Sequence, residues 1–431
     1  MRIGILDHMG YGNLGDAATQ DVVIESIKRR IPDVQLVAFS QVPADTAHRH
    51  NIICYPISWA QASCGASAGN GGATATRGSR MKSILKRARF MYSLAKALLD
   101  FGREILSWWR SFQILKSLDI MIISGGGQFS DLWNGPWSHP YALFKFCLLT
   151  KVAGKKVYIL NVGAGPLNHR LSRLFAAWAV SLADYRSFRD DDSQERIRTL
   201  GISSRLVVCA DSVYGLKAQE LPTEKAFTAS KIVGINPMGF CDPRVWPRKD
   251  DSIYRKYLDK VTQFSLWLLD HGYSLQVFST DMITDHYAIE DLRTRLSSIL
   301  SPAELSQSFT GGIDNVQDLL QKMAEFDFVV TCKYHGIVFS HLLNKPVISL
   351  SYGPKMDSAM EAVGQGRFNA NIEHFEVDWI TNAFRSLIND SESVKRQSSI
   401  GVMSYAAKLA QQFDNLFLPS TVSGEYQKAN N

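Results

Sequence analysis

A lysine and a histidine lie close together in the sequence FVVTCKYHG, residues 328–336. The apolar run predicts a buried strand that ends before Lys333, and Gly336 opens a helical pattern. The start of a helix attracts anions, because its first backbone N–H groups have no partner inside the helix. Lys333 adds positive charge, and the imidazole of His335 can donate or accept a proton near neutral pH. The motif therefore predicts an anion-binding site with a proton-transfer group beside it.

Two further cations occupy comparable positions. Lys355 follows the next apolar run along the chain, and Arg189 comes just before a helical pattern. An arginine at a helix N-terminus opposes the helix dipole, which favours negative charge there. Arg189 therefore either pairs with Asp190 or Asp191, or presents its planar guanidinium to a carboxylate or phosphate. The convergence of several cations in one crevice favours a functional role, because buried charges are costly unless they are paired.

The first apolar run leads into the glycine-rich sequence GYGNLGD, residues 10–16, and a helical pattern follows. Glycines at such a turn let the backbone approach an anion or a sugar closely. The spacing is neither that of a dinucleotide-binding fingerprint nor that of a P-loop, so NAD and ATP sites are not supported. Asp16 is a candidate to accept a proton from a hydroxyl group, and Asn13 and Gly15 are candidate acceptor contacts. Alternatively, Asn13 and Asp16 cap the helix.

A second glycine-rich turn, SGGG at residues 124–127, follows another apolar run. Ligands of open α/β sheets bind beyond the carboxyl ends of the strands, where we expect this turn. Ser124, Gly126 and Gly127 are therefore candidate contacts for the acceptor substrate. A similar turn, GAGP at residues 163–166, follows the next run. Tight turns also use glycine, so only the combination of turns favours a binding site.

The elements that position these residues are short apolar runs that alternate with helical patterns. Runs without polar alternation predict strands that are buried on both faces of parallel sheets. Two successive sets predict an α/β protein with two Rossmann-like domains, and one large doubly wound sheet is the alternative. The first set comprises Ile3–Leu6, Ile120–Ile123, Val157–Val162 and Leu206–Val208, and the second Ile232–Ile235, Leu275–Phe278, Phe328–Val330 and Val347–Leu350.

The domain boundary is expected in the polar segment 215–231, which carries no strand pattern. The N-terminal domain then comprises residues 1–220, the C-terminal domain 228–400, and a final helix with a frayed polar tail residues 401–431. An insertion at 41–118, with a flexible glycine-rich loop at 63–79, is expected to interrupt the N-terminal domain.

Part of that insertion, residues 77–118, carries ten Lys or Arg residues and only two acids. Apolar residues at helical spacing, which end with Ile105, Trp109 and Phe112, predict an amphipathic helix with basic flanks. Such a helix is typical of segments that lie on an anionic membrane surface. The equal alternative is that the apolar stripe packs on the protein and that the basic residues are simply solvated.

Composition excludes several classes of protein. Of the 431 residues, 45% are hydrophobic and 20% are charged, so the chain is neither disordered nor fibrous. No apolar run is long enough to span a bilayer. The six cysteines form no CxxC or zinc-binding pattern, which favours a reducing compartment and a cytoplasmic protein. We recognise no metal cluster and no nucleic-acid module, and therefore expect neither a metal site nor a nucleic-acid partner.

Taken together, the motifs resemble those of the polysaccharide pyruvyl transferases. They occur in the family's order over residues 1–40 and 118–365: GYGNLGDAA, ISGGGQFSD, NVGAGPL, SFRDDDSQERIRTLGI, VVCADSVYGL and KYHGIVFSHLLNKPVISLSYGPKM. The resemblance implies a fold like that of GT-B glycosyltransferases, with the active site in the cleft between two Rossmann-like domains. It also implies transfer of the enolpyruvyl group of phosphoenolpyruvate to two hydroxyls of a sugar, which gives a pyruvate ketal and phosphate.

The resemblance also implies roles for individual residues. Four residues fall on the family's catalytic and donor-binding positions: Lys333, His335, Arg189 and Lys355. Tyr334 and Gly336, which flank the histidine, are expected on the same donor side. The family usually has Arg-Leu-His where this chain has Lys-Tyr-His, so a bidentate guanidinium is replaced by a point charge. A further departure, Asp-Ser at 211–212 in place of Asp-Pro, is expected to change only a loop.

These roles give a mechanistic hypothesis. The two lysines and the arginine would bind the carboxylate and phosphate of phosphoenolpyruvate. Charged His335 would protonate the methylene carbon, and Asp16 would take the proton of the attacking sugar hydroxyl. The scheme requires no cofactor and no metal.

The acceptor is expected to be a lipid-linked or polymeric saccharide of an exopolysaccharide or cell-surface glycan. Residues 77–118 would then hold the cytoplasmic protein at the inner face of the membrane or steer an anionic glycan. One alternative is a glycosyltransferase that uses a nucleotide sugar on the same scaffold. A second is an assembly subunit that keeps the fold without turnover.

Overall fold

The computed structural model describes residues 1–6, 12–58, 99–133, 135–217, 220–222, 231–309 and 311–418. The loop expected at 63–79, the first part of the basic helix and the expected frayed tail after residue 418 lie outside these ranges.

The N-terminal domain contains a seven-stranded sheet in which all neighbouring strands are parallel. The strands are β1 (Arg2–Leu6), β2 (Gln35–Ser40), β3 (Ile53–Pro56), β4 (Ile120–Ser124), β5 (Lys156–Val162), β6 (Tyr185–Phe188) and β7 (Val207–Val208). Their order across the sheet is β3-β2-β1-β4-β5-β6-β7. All five residues of β4 are buried, because helices cover both faces of the sheet.

The C-terminal domain repeats this plan with a five-stranded parallel sheet. The strands are β8 (Ile232–Asn236), β9 (Ser274–Val277), β10 (Phe328–Thr331), β11 (Val347–Ser351) and β12 (Asn369–Asn371), in the order β12-β11-β10-β8-β9. The prediction of two Rossmann-like domains is confirmed, and the alternative of one large sheet is wrong.

Helices connect the strands in both domains. The N-terminal domain has α1 (Leu14–Arg30), α2 (Pro43–His50), α3 (helical over residues 99–115), α4 (His139–Val152), α5 (Arg170–Leu182) and α6 (Asp191–Arg198). The C-terminal domain has α7 (Asp251–Asp270), α8 (His286–Ser297), α9 (Pro302–Ser308), α10 (Val316–Ala324), α11 (Tyr334–Leu342), α12 (Pro354–Glu361) and α13 (Val377–Asn389), and α14 (Ser391–Phe417) follows.

The last helix joins the two domains. It begins at Ser391, ten residues before the predicted start at 401, and returns to the N-terminal domain. There Asp414 pairs with Arg30 of α1 at 2.6 Å, and Gln412 hydrogen-bonds to Asn161 of β5 at 2.9 Å. Phe413 packs into the apolar core between α1 and the sheet. Helix α14 thus follows the C-terminal domain in the chain but contributes to the core of the N-terminal domain.

The expected insertion starts too early. Residues 43–56 form α2 and β3, and β3 pairs with β2 at the edge of the sheet. The described part of the basic helix, α3, packs on α4: Ser107, Ser111 and Leu115 are buried, and Trp108 Nε1 donates to the hydroxyl of Tyr141 at 2.8 Å. This part of the segment therefore packs on the protein through one side of α3.

The face of α3 that packs is not the predicted one. Ile105 and Trp109, which belong to the predicted apolar stripe, are 55% and 59% exposed. The buried positions have small or polar side chains, such as Ser107 and Ser111, because they lie against the neighbouring helix. No described helix is both long and apolar enough to cross a membrane.

Candidate active site

Site residues from both domains meet where the carboxyl ends of the two sheets face one cleft. The start of α1 touches the loop after β9: Leu14 N–H donates to the Thr280 carbonyl, and Met282 N–H donates to the Gly12 carbonyl, both at 3.0 Å. These backbone bonds fix the glycine-rich turn of one domain against the other domain. The cleft is therefore lined by loops that follow β1, β4, β6, β9, β10 and β11, as expected for parallel sheets.

The N-terminus of α11 opens into this cleft directly after β10. Lys333 is the N-cap residue in an extended conformation, and its side chain does not cap the helix. Among the described residues, the backbone N–H groups of residues 334–336 have no hydrogen-bond acceptor. The helix start thus keeps the free donors and partial positive charge that favour an anion.

Arg189 reaches the same place from the N-terminal domain. Its Cζ lies 4.2 Å from the ring centroid of Tyr334, the first residue of α11. Its Nη1 donates to Asp211 at 3.1 Å, and Asp190 lies 3.6 Å from Nε. The buried Nε has no hydrogen-bond partner among the described residues, which leaves one N–H for a ligand. The ion pair and the cleft position, posed as alternatives from the sequence, therefore occur together.

Lys355, in the first turn of α12, lies on the other side of Tyr334. Its Nζ is 5.9 Å from the Tyr334 ring centroid and 4.8 Å from that of Tyr352. No carboxylate lies within ion-pair distance of this ammonium in the described part of the chain. Burial raises the pKa of Tyr352, but Lys355, Lys333 and Arg189 outweigh this effect and hold it below its ordinary value. Tyr352 therefore marks the centre of a positive field.

Lys333 differs from Lys355 because it already has anionic partners. Its Nζ lies 2.7 Å from Asp285 Oδ1 and 3.3 Å from Asp281 Oδ2. Burial would lower the pKa of Lys333, but the two aspartates hold it above its ordinary value. Burial likewise raises the pKa of Asp285 to about 6. The sequence makes the two lysines look equivalent, whereas the structure places one in an internal ion-pair cluster.

His335 is enclosed between α11 and the start of α1. A Cβ added to Gly15 would lie 1.9 Å from His335 Nδ1, so only glycine allows this approach. Burial lowers the pKa of His335 to about 4, and the nearby Arg189 and Lys355 add to the effect against the opposing Asp211. Desolvation and the surrounding cations thus favour the neutral imidazole in the unliganded protein, and a charged His335 in the presence of the donor stays a prediction.

Asp16 lies one residue further along α1. Burial raises its pKa from 3.8 to about 6, and the pull of Arg189 is partly cancelled by Asp211. Its Oδ2 accepts a hydrogen bond from Asn13 Nδ2 at 2.9 Å. Asn13 is the N-cap residue, since its Oδ1 accepts from the N–H groups of Gly15 and Asp16. The capping alternative is correct for Asn13. The raised pKa keeps Asp16 a candidate for proton transfer.

The remaining predicted residues take different positions around this centre. Gly126, with a left-handed φ of 53°, lies against Asp16: an added Cβ would be 3.3 Å from Oδ1. Gly127 faces open space, whereas Ser124 is buried at the end of β4. Gly336 packs on Thr331, where a Cβ would lie 2.1 Å from the hydroxyl oxygen. The close approach of Gly336 to Thr331 therefore serves the packing of α11 on β10.

A row of aromatic rings, which the sequence analysis did not single out, crosses the cleft. Trp133, from the loop after β4, meets Trp246 of the C-terminal domain edge to face, with ring centroids 5.5 Å apart. Trp246 in turn meets Tyr352 edge to face at 5.5 Å. Trp133 is 48% exposed. Its place in the motif ISGGGQFSDLW, nine residues after Ser124, was the signal available in the sequence.

Comparison with known families agrees with this arrangement. A family model described as polysaccharide pyruvyl transferase matches residues 13–354, which include every predicted site residue except Lys355. The chain belongs to the polysaccharide pyruvyl transferase family. No curated protein matches the sequence of this pyruvyl transferase family member.

Solved structures show that the family member has the GT-B fold. UDP-GlcNAc 2-epimerase from Neisseria meningitidis is similar with a TM-score of 0.53 and 12% identity, over 96% of this chain and 99% of that chain. UDP-GlcNAc 2-epimerase from Methanocaldococcus jannaschii is similar with a TM-score of 0.54 and 8% identity, over 94% of this chain and 100% of that chain. A glycosyltransferase from Rickettsia africae is similar with a TM-score of 0.52 and 10% identity, over 96% of this chain and 97% of that chain. At these identities the likeness establishes the fold alone.

The candidate active site of this transferase is identified by its chemical groups and not by the size of a cavity. A groove of about 560 Å³ lies between β6, β7 and α14, but none of the predicted site residues lines it. Among the described residues, no three His, Cys, Asp or Glu side chains are grouped as metal ligands would be. The converging cations, the helix start, Asp16 and His335 lie together in the interdomain cleft.

Proposed function

We propose that this pyruvyl transferase moves the enolpyruvyl group of phosphoenolpyruvate onto two hydroxyls of one saccharide residue. One hydroxyl oxygen bonds to C2 of the donor as a proton adds to the methylene carbon. The C2–O bond to phosphate then breaks, and the second hydroxyl closes the ketal. The two hydroxyl protons balance the one gained by carbon and the one carried away with phosphate. The proposed chemistry uses no metal or cofactor.

The observation that carries this proposal is the pair of cations on the Tyr334 ring. Arg189 and Lys355 come from different domains, and the unpaired N–H groups of α11 lie beside them. Phosphoenolpyruvate has two anionic groups, and such a divided positive site suits a small ligand with a phosphate and a carboxylate. Lys333 would act at longer range, since Asp281 and Asp285 already hold its ammonium group.

The proton-transfer roles that we propose differ from those expected from the sequence. In the free protein, burial raises the pKa of Asp16 to about 6 and lowers that of His335 to about 4, which favours a proton on Asp16 over one on His335. Protonated Asp16 would donate to the methylene carbon, and His335 would accept the proton of the attacking hydroxyl. The arrival of a dianionic or trianionic donor would raise both pKa values, which favours the donor form of Asp16.

The acceptor would enter from the side of Trp133. Sugar rings stack on exposed aromatic faces, and this indole lies two ring contacts away from Tyr352 and Lys355. A platform at this distance suits an acceptor with more than one sugar unit. We therefore propose a lipid-linked or polymeric saccharide of a surface glycan or exopolysaccharide as the acceptor.

The test is incubation with phosphoenolpyruvate and a panel of soluble and lipid-linked glycans. Phosphate release, together with a glycan mass increased by one pyruvate less one water, would support the proposal. Release of a nucleoside diphosphate from sugar nucleotides would favour the glycosyltransferase instead. Absence of phosphoenolpyruvate binding in calorimetry would favour the inactive assembly subunit. The variant His335→Ala should lower turnover on the order of 10²–10⁴-fold, and near-normal turnover would remove His335 from proton transfer.

A further inference from the structure

Large apolar side chains are exposed on the three helices that cover one face of the N-terminal sheet. These helices are α3, α4 and α5, with α4 in the middle. Apolar residues at helical spacing form an outward stripe that begins just before α4 and continues along it: Trp137, Tyr141, Phe144, Leu148 and Val152. Trp137 and Val152 at its two ends are 67% and 65% exposed. Exposed apolar surface on this scale marks an interaction site.

Ring contacts make the stripe continuous with α5. Phe144 stacks on Phe175 with centroids 5.3 Å apart and also touches Trp178 at 5.1 Å. Trp178 and its neighbour Leu174 are 44% and 42% exposed. The surface thus extends across two adjacent helices as a single aromatic layer.

The stripe also continues onto α3. Trp108 bonds to the hydroxyl of Tyr141, which places this side of α3 against the outward edge of α4. Phe101, Ile105 and Phe112 lie on the same side, since they differ from Trp108 by seven, three and four positions. Phe101 and Ile105 are 66% and 55% exposed. The outward surfaces of α3, α4 and α5 are hereafter called the aromatic face.

Basic residues predominate on the aromatic face. The described residues of α3, α4 and α5 include two acids, and each pairs with a cation: Asp100 with Arg103 at 3.4 Å and Glu104 with Lys145 at 3.0 Å. Arg170 and Arg173 are exposed on the same side of α5 as Leu174 and Trp178. Neither arginine makes an ion pair within the described ranges. Aromatic rings rimmed by arginines match the headgroup region of an anionic bilayer.

We propose that the aromatic face docks the protein onto an anionic membrane surface. The face is distinct from the cleft and adjoins it: Trp137 on the face is four residues from Trp133 in the cleft. A saccharide carried on a lipid would therefore reach the cleft mouth while its carrier stays in the bilayer, an extension that rests on the proposed function. The docking itself depends on α3–α5 alone.

The test is sedimentation of the full chain with vesicles of phosphatidylcholine that contain about one-third phosphatidylglycerol, and with pure phosphatidylcholine vesicles. We expect binding to the anionic vesicles and much weaker binding to the neutral ones. Each basic residue near an anionic surface contributes about fivefold in partitioning, so Arg170→Gln/Arg173→Gln should weaken binding roughly 25-fold. The apolar variant Leu174→Ser/Trp178→Ser should weaken it about tenfold or more.

Matched controls use exposed side chains elsewhere. Ile400 and Met403 on α14 are 60% and 64% exposed, so Ile400→Ser/Met403→Ser removes a similar apolar surface far from the aromatic face. The variant Lys256→Gln/Arg396→Gln removes two charges in the C-terminal part of the chain. Both controls should bind vesicles like the parent. Circular dichroism melting of every variant shows whether the fold is retained.

The outcomes separate the docking proposal from the proposed function. Retained phosphoenolpyruvate binding without vesicle binding would overturn docking and leave the function standing. Vesicle binding without phosphoenolpyruvate binding would support docking and overturn the proposed function. Equal loss of vesicle binding in the control variants would also overturn the proposal. A mass of two chains in light scattering, lost in Leu174→Ser/Trp178→Ser, would show that a second copy covers the face. Absence of vesicle binding without any association of chains would also overturn the proposal.

Discussion

The variant Asp16→Asn should make the unliganded protein more stable although it removes a proposed catalytic group. Burial raises the pKa of Asp16 from 3.8 to about 6, which means that the folded protein disfavours its charged form. Asparagine keeps an acceptor for the Asn13 amide, whose bond to Asp16 Oδ2 is 2.9 Å long, and removes the charge. The gain in stability then measures how much free energy is lost when the charged carboxylate of Asp16 is buried in the cleft.

The size of this gain follows from the pKa difference. At 1.36 kcal/mol per pH unit, the difference between 3.8 and about 6 corresponds to about 3 kcal/mol. Asp16 is partly exposed in the cleft, so solvent screening reduces the expected gain to about 1–2 kcal/mol. Because the folded-state pKa is raised, the cost is absent at low pH and develops as the pH rises from about 4 to about 6. The stabilisation should therefore be full near pH 7.5 and nearly absent near pH 4.

The assay is urea denaturation of parent and variant at several pH values, followed by circular dichroism. Asp281→Asn is the matched control, because burial raises the pKa of Asp281 but Lys333 outweighs it and lowers the pKa below 3.8. That substitution should destabilise the protein near neutral pH, and the effect should fade in acid. A destabilised Asp16→Asn protein, or a gain that does not fade on acidification, would refute the claim that burial holds the Asp16 pKa high.

Three further predictions concern the cleft. Gly15→Ala should lower turnover at least about tenfold while the protein stays folded. The new Cβ would lie 1.9 Å from His335 Nδ1 and would therefore displace the imidazole. Normal steady-state kinetics would contradict the close contact. Lys355→Gln should weaken phosphoenolpyruvate binding about tenfold or more in calorimetry, whereas an unchanged affinity would exclude Lys355 as the main donor cation. Trp133→Ala should raise the KM for an oligosaccharide acceptor roughly tenfold with little change in kcat, from the loss of one stacking contact; a fall in kcat alone would contradict a binding role.

Much of the fold could be predicted because the central strands carry a strong signal. Strands such as β4 and β10 are continuous apolar runs, since helices cover both faces of the sheets. The apolar strand β2 was nevertheless not assigned. Two other missed strands lack this signal: β6 is Tyr-Arg-Ser-Phe and β12 is Asn-Ala-Asn. Their pairing comes from neighbouring strands rather than from their own composition. The edge strand β3 was assigned to an insertion for the same reason.

The sequence could predict that the candidate residues lie together in the cleft, but not their partners or charge states. Lysine and histidine after β10 and lysine after β11 were identified because chain order fixes which loops meet at one sheet edge. The partners of Lys333 could not be predicted: Asp281 and Asp285 come from the loop after β9, about fifty residues away. The charge state of His335 was also missed, because it depends on desolvation by α1, a long-range contact that local sequence does not reveal.

The pairing of charges in the cleft explains how the free protein can hold several buried cations. Arg189 is offset by Asp211 and Lys333 by Asp285, so neither leaves a bare buried charge in the free protein. Lys355 differs because an aromatic hydroxyl, rather than a carboxylate, is its nearest described partner. An arriving donor can therefore bind Lys355 without breaking an ion pair, while its second anionic group approaches the fixed fork of Arg189. Each added negative charge also raises the pKa of Asp16 and His335. Donor binding should thus be accompanied by proton uptake, which sets the protonation state that the next step requires.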